Sequence, residues 1–392
     1  MFGVYVHFPW CLAKCPYCDF LSVAERREAI PHRGYADAVL AELRERAAGL
    51  DAVELGTVFF GGGTPSLWRA GELGRVLDGI FAAFPRRTAS VEVTVECNPT
   101  SFDADKARAL RDVGVNRVSI GVQGLDPGRL SFLGRLHRAE DGLCAVGDAL
   151  RAGVPRVSAD LIYGVAGQAP EQAASEARRV AELGVTHLSA YQLTIEPGTA
   201  FGALAKKGKL PLLGEELEVE SFLAVASELR ALGFEQYEIS NFAREGHRCE
   251  HNLGYWRGHD YLGLGCAAWG TVTLRDGTRR RYRNTPSPGV YLRHAEGAFA
   301  AWSDRPGELV SDVESLDAHT ALAERIMLGL RLEEGVDIER AAARLGVEPW
   351  PEPRALARDR LLARGLVVRD SGVFRIPQHS WLFADRIAAE LM

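Results

Sequence analysis

The chain has 392 residues, of which 47% are hydrophobic and 25% charged, so disordered, collagen-like and coiled-coil classes are excluded for the chain as a whole. Lys and Arg number 46 against 52 Asp and Glu, a formal net charge of -6; a chain that coats nucleic acid carries a basic balance instead. Seven cysteines, an odd number with three of them inside residues 11–18, do not form a secreted disulfide framework.

The length predicts two domains, or one large barrel with an appendage. The segment Met1-Phe2-Gly3-Val4-Tyr5-Val6-His7 has no basic region followed by a long apolar run, so no signal peptide is expected. Uncharged stretches such as Leu55–Trp68 and Tyr261–Leu274 are too short and too glycine-rich to span a bilayer, which takes about 20 residues. The expected setting is the cytoplasm, with reduced thiols. Peripheral association with a membrane is left open.

In chain order, β-rich runs at Val4–His7, Thr57–Phe60, Val91–Glu96, Arg117–Gly121, Arg156–Ile162 and His187–Leu193 alternate with amphipathic stretches. The latter are Tyr35–Ala48, Gly71–Phe84, Asp103–Val113, Ala139–Ala152, Pro170–Leu183 and Glu216–Leu232. Gly114, Gly153, Gly184 and Gly233 punctuate helix ends ahead of apolar strand starts. Six β-then-α units with short connections predict an α/β fold with a parallel sheet, curved into a partial (β/α)6, TIM-like barrel. Polar residues Thr64, Glu96, Gln123, Asp160 and Gln192 fall at strand carboxyl ends, where barrel active sites sit.

Residues 241–305 read as an irregular extension of the 1–240 barrel, and residues 306–392 as a separate C-terminal module. Helices are expected at Leu316–Leu332, Asp337–Leu345 and Pro353–Arg364. Leu366–Arg369 and Val373–Ile376 flank Asp370-Ser371-Gly372, a hairpin signal. A last helix follows. This is a helical, winged-helix-like pattern; the fold often binds DNA, but fold alone does not give function.

The sharpest feature is Cys11-Leu-Ala-Lys-Cys15-Pro-Tyr-Cys18, just after the first strand. Structural zinc takes four ligands, usually as paired C-x2-4-C units, and the nearby His7 and Asp19 are poorly spaced to complete a set. Three thiolates in one loop suit three corners of a four-iron four-sulfur cluster with one iron open.

The triplet resembles the signature of radical S-adenosylmethionine (SAM) enzymes. The resemblance implies that Cys11, Cys15 and Cys18 hold the cluster, that SAM binds its open iron, and that electron donation cleaves SAM to a 5′-deoxyadenosyl radical. Further stretches narrow it to the oxygen-independent coproporphyrinogen III oxidase-like family. They are Tyr5-Val-His7-Phe-Pro-Trp-Cys11, Gly61-Gly-Gly63-Thr64-Pro65-Ser66, Glu96-Cys-Asn98-Pro99, Ser119-Ile-Gly121-Val-Gln123, Leu133-Gly134-Arg135 and Asp160-Leu-Ile-Tyr163-Gly164. By this resemblance Gly63 and Thr64 meet the amino group of SAM. Glu96, Gln123 and Asp160 offer acceptors to its hydroxyls and ammonium, and Arg135 pairs its carboxylate. Tyr5 and Tyr17 flank the cluster.

That family divides into oxidases, which decarboxylate two propionates of coproporphyrinogen III, and HemW-type proteins, which resemble heme chaperones. The oxidases carry a fourth cysteine where this sequence has Phe20, and a longer segment ahead of the cluster than the ten residues before Cys11. His251-Asn252-Leu-Gly-Tyr255-Trp256 matches the H-N-x-x-Y-W stretch of the HemW branch, which makes His251, Asn252, Tyr255 and Trp256 candidate heme contacts. Gly263-Leu-Gly265-Cys266-Ala267-Ala268-Trp269-Gly270 departs from that branch, where a histidine often stands at the place of Trp269.

Cys97, Cys144, Cys249 and Cys266 read as packed thiols, with Cys249 worth testing beside His251. Arg275, Arg279, Arg280, Arg281 and Arg283 read as a solvated hairpin face, or else as an anion site. The expected task is heme binding and delivery to an acceptor protein, with a 4Fe-4S cluster and SAM as cofactors and no nucleic-acid partner. Phe20 counts against oxidase activity. The alternatives are a porphyrinogen oxidase or another radical SAM reaction, and a zinc-stabilised DNA-binding regulator.

Overall fold

A computed structural model describes residues 1–294, 302 and 305–392. The chain opens on β1 (Phe2–Phe8), whose Val4, Val6 and Phe8 are fully buried. Five further strands run parallel to it: β2 (Leu55–Gly62), β3 (Arg87–Cys97), β4 (Arg117–Gln123), β5 (Arg156–Tyr163) and β6 (His187–Gln192). Each is followed by a helix: α1 (His32–Ala47), α2 (Ala70–Ala83), α3 (Ala104–Asp112), α4 (Ala139–Arg151), α5 (Pro170–Ala181) and α6 (Glu215–Ala231). The six expected units are present.

Local chemistry explains their limits. Asp103 accepts from the Lys106 N–H and opens α3, as an N-cap aspartate does. The four helix-ending glycines all have positive φ, between 73° and 104°, a backbone state that costs a side chain free energy.

The segment expected to be irregular instead extends the same sheet. After β7 (Glu235–Gln236), β8 (Asn241–Ala243) and the short helix α7 (Glu250–Trp256), strand β9 (Tyr261–Leu264) pairs in parallel with the free edge of β1. Strands β10 (Trp269–Thr273), β11 (Arg279–Asn284) and β12 (Val310–Ser315) add on antiparallel. The sheet has twelve strands in the linear order β12-β11-β10-β9-β1-β2-β3-β4-β5-β6-β8-β7. Among the described residues its two ends do not pair with each other, which leaves the barrel open. Residues 295–301, 303 and 304 of the expected extension lie outside the described residues.

A buried polar network clamps this addition. Glu42 on α1 accepts from the Gly265 N–H at 2.8 Å, the Asn284 amide at 2.7 Å and the Tyr291 hydroxyl at 2.6 Å. Arg46 neutralises it at 2.7 Å, and both side chains are about 1% exposed. Tyr35 donates its hydroxyl to the His7 carbonyl and accepts from the Cys266 N–H at 2.9 Å. These bonds fix the end of β9 to the end of β1, where the three-cysteine loop starts.

The C-terminal module contains α8 (Ala318–Gly329), α9 (Ile338–Leu345) and α10 (Glu352–Ala363), the hairpin β13 (Val368–Asp370) with β14 (Val373–Arg375), and α11 (Ala384–Leu391). A bridge from Val336 to Phe374 ties the wing to the helices. Leu322, Ile326, Leu361, Phe374 and Trp381 form its apolar centre, continuous with the barrel core. Arg257 reaches across to Glu334 through two bonds of 2.7 and 2.8 Å.

Candidate functional site

The carboxyl ends of the parallel strands and the loop after β1 enclose a cavity of about 1150 Å³. Cys11, Cys15 and Cys18 all line it, and each is half-buried. Thr64 Oγ1 donates to Cys11 Sγ at 3.2 Å, and Arg135 Nη1 donates to Cys15 Sγ at 3.5 Å. Burial raises the Cys11 thiol and pushes Cys18 up to about 11. A thiol must deprotonate to bind metal, so a hydroxyl and a guanidinium aimed at two of the sulfurs fit a thiolate-held cluster. No three His, Cys, Asp or Glu side chains among the described residues converge to hold a single ion. His7 does not complete a zinc set: its Nε2 lies 2.9 Å from the Leu21 carbonyl and its Nδ1 3.0 Å from the Tyr5 hydroxyl.

The polar residues read from the sequence converge on the same cavity. Glu96 Oε2 accepts from the Gly62 N–H at 3.0 Å. Burial, then the charge of Asp160, pushes its carboxyl up to about 8. Asp160 accepts from Ser119 Oγ at 3.0 and 3.1 Å, and burial raises it to about 6 against the donation of Ser189 and Ser119. It stands in mid-strand beside Gly121 and Ser189 and not at a strand end, because β5 runs on to Tyr163, which pairs with Gln192 of β6. Gln123 takes φ +66°, a strained state for a residue with a side chain. Arg135 Nη2 donates to the Gly121 carbonyl at 3.1 Å, while its Nε is buried without a partner.

Gly63 and Thr64 continue the ladder past β2. Their N–H groups donate to the Phe8 carbonyl at 2.7 Å and the Trp10 carbonyl at 2.9 Å. A Cβ on Gly63 would meet the Trp10 and Phe8 carbonyl oxygens at 2.7 and 2.9 Å, so the glycine serves the close backbone crossing. Tyr5 and Tyr17 line the cavity beside the cysteine loop. Gln192 also lines it, but gives its amide to Glu218 at 2.9 Å.

Helix α7 lies against β1 and β2 at another part of the wall. Asn252, Tyr255 and Trp256 line the cavity. His251 does not: it is 3% exposed. Its Nδ1 lies 2.8 Å from Thr57 Oγ1 and its Nε2 2.9 Å from the Tyr255 hydroxyl. Burial lowers it to about 3. In this arrangement neither ring nitrogen is left for iron, and His251 anchors the helix. Cys249 is buried, its thiol raised by burial, and donates to Glu92 Oε1 at 3.5 Å.

The arginine run divides. Arg275, Arg279 and Arg281 pair with Asp51, Asp260 and Glu324, and Arg280 donates to the Trp302 carbonyl. Arg283 faces the cavity with Trp269. The sequence reading missed Glu238, Asn241 and Arg331, which also line the wall. Glu238 Oε2, Asn241 Oδ1 and Arg331 Nε are buried without partners. Glu238 and Asn241 lie three residues apart at the start of β8, where the Asn241 amide donates to Glu238, and Arg331 comes from the turn after α8.

Comparison with known proteins adds to this geometry. The radical SAM superfamily model matches residues 5–180, and the HemN C-terminal domain model matches residues 316–383. The heme chaperone HemW of Escherichia coli (strain K12) is 36% identical over 387 residues, covering 98% of this chain and 96% of its own. The chain belongs to the HemW family of radical SAM proteins. HemW of Bacillus subtilis (strain 168) is 33% identical, with 88% of this chain and 87% of its own covered. The mitochondrial radical S-adenosyl methionine domain-containing protein 1 of Danio rerio is 35% identical over 85% of this chain and 73% of its own. The solved structure of coproporphyrinogen III oxidase (HemN) from Escherichia coli superposes with a TM-score of 0.79 at 21% identity, covering 100% of this chain and 89% of its own; it shares the fold. Membership of the superfamily implies a 4Fe-4S cluster and SAM.

Proposed function

We propose that this protein binds heme and passes it to an acceptor protein, with Cys11, Cys15 and Cys18 holding a 4Fe-4S cluster. In this reading Tyr5, Tyr17, Gly63, Thr64, Glu96, Gln123, Arg135 and Asp160 surround SAM. Asn252, Tyr255 and Trp256 face the cargo. When bound, the cluster supplies an electron to the sulfonium of SAM. The residues do the rest: Arg135 offers its fork to a carboxylate, while Glu96 and Asp160 offer oxygens to hydroxyl and ammonium donors.

One observation carries the reading. A single cavity is lined both by the cysteine loop and by Asn252, Tyr255 and Trp256 of α7. Its volume exceeds the about 300–1000 Å³ of a one-ligand pocket. Heme chaperones of Escherichia coli and Bacillus subtilis, similar over nearly the whole chain, support heme as the cargo. We divide the chain into a barrel (1–240), a cargo-facing extension (241–305) and a winged-helix-like module (306–392). We place the protein in the cytoplasm. Among the described residues no helix is long and apolar enough to cross a membrane.

The test is anaerobic reconstitution followed by two titrations of the same sample. Iron and sulfide content with a SAM-sensitive EPR signal tests the cluster. Heme added to the reconstituted protein, then an apo-heme protein as acceptor, tests delivery. Turnover of coproporphyrinogen without heme binding would replace this reading with the oxidase one.

A further inference from the structure

We propose that Trp269 and Arg283 form the platform on which the heme macrocycle docks, the indole stacking on the ring and the guanidinium pairing with a propionate. This rests on the heme reading above and assigns it a place on the wall.

The register of β10 and β11 sets Trp269 directly opposite Arg283, so the two side chains leave the same face of the sheet. The Arg283 guanidinium carbon lies 5.4 Å from the Trp269 ring centroid. Both residues line the cavity that holds the three cysteines. Trp269 is 42% exposed, an unusual state for a large aromatic inside a concave site.

Arg283 differs from the rest of its run. Its Nε is buried and has no hydrogen-bond partner, and it forms no ion pair among the described residues. Asp312 faces it across the β11–β12 ladder, but accepts from Ser311 at 3.1 Å. A guanidinium in a concave wall without a carboxylate is costly unless an anion completes it. A planar fork recognises carboxylates in particular. An exposed indole beside it selects a flat, polarisable partner. Heme carries both features, a planar macrocycle and two propionates.

The platform is held rigidly. Tyr282 donates its hydroxyl to the Gly263 carbonyl at 2.8 Å and accepts from the Gly263 N–H at 3.0 Å. A Cβ on Gly263 would lie 1.9 Å from the Trp269 carbonyl oxygen, and one on Gly270 2.5 Å from the Tyr282 ring. The two strands are therefore locked beneath the indole.

Heme is titrated into the full-length reconstituted protein and followed by Soret absorbance, for wild type, Trp269→Ala, Trp269→Phe and Arg283→Gln. Trp269→Ala and Arg283→Gln should each weaken heme binding by about 10-fold or more. Trp269→Phe should keep most of it. Heme dimethyl ester, which lacks the carboxylates, should bind wild type more weakly than heme does, and Arg283→Gln should bind the two alike. Iron content and the SAM-sensitive EPR signal should stay at wild-type levels in all three variants, which separates a lost contact from a lost fold. Wild-type affinity in both Trp269→Ala and Arg283→Gln overturns this inference alone. Absence of heme binding in wild type overturns the heme reading together with it.

Discussion

The guanidinium of Arg135 stands 3.5 Å from the sulfur of Cys15 and 3.1 Å from the carbonyl of Gly121. One side chain thus joins the cysteine loop to the end of β4. The contact is close along its length, since a Cβ on Gly134 would lie 2.6 Å from the Pro16 ring. With one guanidinium nitrogen still unpaired, Arg135 is placed to take a carboxylate as well. Arg135→Gln should weaken SAM binding by about 10-fold or more, the scale of a charge-assisted hydrogen bond. SAM titration of the reconstituted cluster by EPR measures it. Unchanged SAM affinity would remove Arg135 from the cofactor site.

Replacing Cys11, Cys15 and Cys18 together by Ala should reduce iron and sulfide to background. The thermal melt of the metal-free protein should move little. The three side chains are half-buried on a loop, and small changes away from packed cores cost about 0.5 kcal/mol or less. Inductively coupled plasma analysis and differential scanning calorimetry report the two quantities. Full iron retention would show that the metal sits elsewhere.

Glu96 carries a pH signature. Its carboxyl rises from the usual 4.5 to about 8. Between those values the unfolded chain releases the proton while the folded one keeps it, so folding stability falls as pH rises through this window. Glu96→Gln removes that loss and keeps an acceptor for the Gly62 N–H. The metal-free variant should be more stable than wild type at pH 8.5, by a few kcal/mol at about 1.4 kcal/mol for each pH unit of the window. The difference should vanish below about pH 4.5. Parallel stability curves across that range would contradict the shift.

His251 behaves in the opposite sense. Burial depresses it from 6.5 to about 3, so the unfolded chain binds the proton first and stability is lost as pH falls below 6.5. His251→Phe keeps the stacking on Phe59, whose centroid is 4.9 Å away, but strands Thr57 and Tyr255. It should cost about 1–3 kcal/mol at pH 8, and the gap to wild type should narrow at pH 5. Urea melts at the two pH values decide this; a gap that widens on acidification would refute it.

The barrel was readable because its signals are local. Apolar runs such as Val4–His7 and glycine stops such as Gly114 each carry their own strand or helix end. The cysteine loop was readable because its spacing is chemical. Strands β9 to β11 were not. Tyr261–Leu264 is short and interrupted by Gly263, which is there because the Trp269 carbonyl comes so near. Arg279–Asn284 hides its strand period under charge: Arg280, Tyr282 and Asn284 alternate inward. The fate of His251 was also invisible, since its partners Thr57 and Tyr255 are fixed only once α7 docks. Asp160 was read as a strand end, whereas the apolar Leu161 and Ile162 carry β5 on to Tyr163.

The parallel pairing of β1 with β9 sets an order of events during synthesis. Strand β1 leaves the ribosome well ahead of its second neighbour, which begins only at Tyr261. Until then one edge of β1 stays unpaired, and the clamp from Glu42 and Tyr35 to Gly265 and Cys266 cannot close. A nascent chain of this kind holds an exposed edge that partners can reach. The cysteine loop hangs from that same strand. The strands that wall in its thiols from the far side, β9 and β10, are made only after the six β/α units.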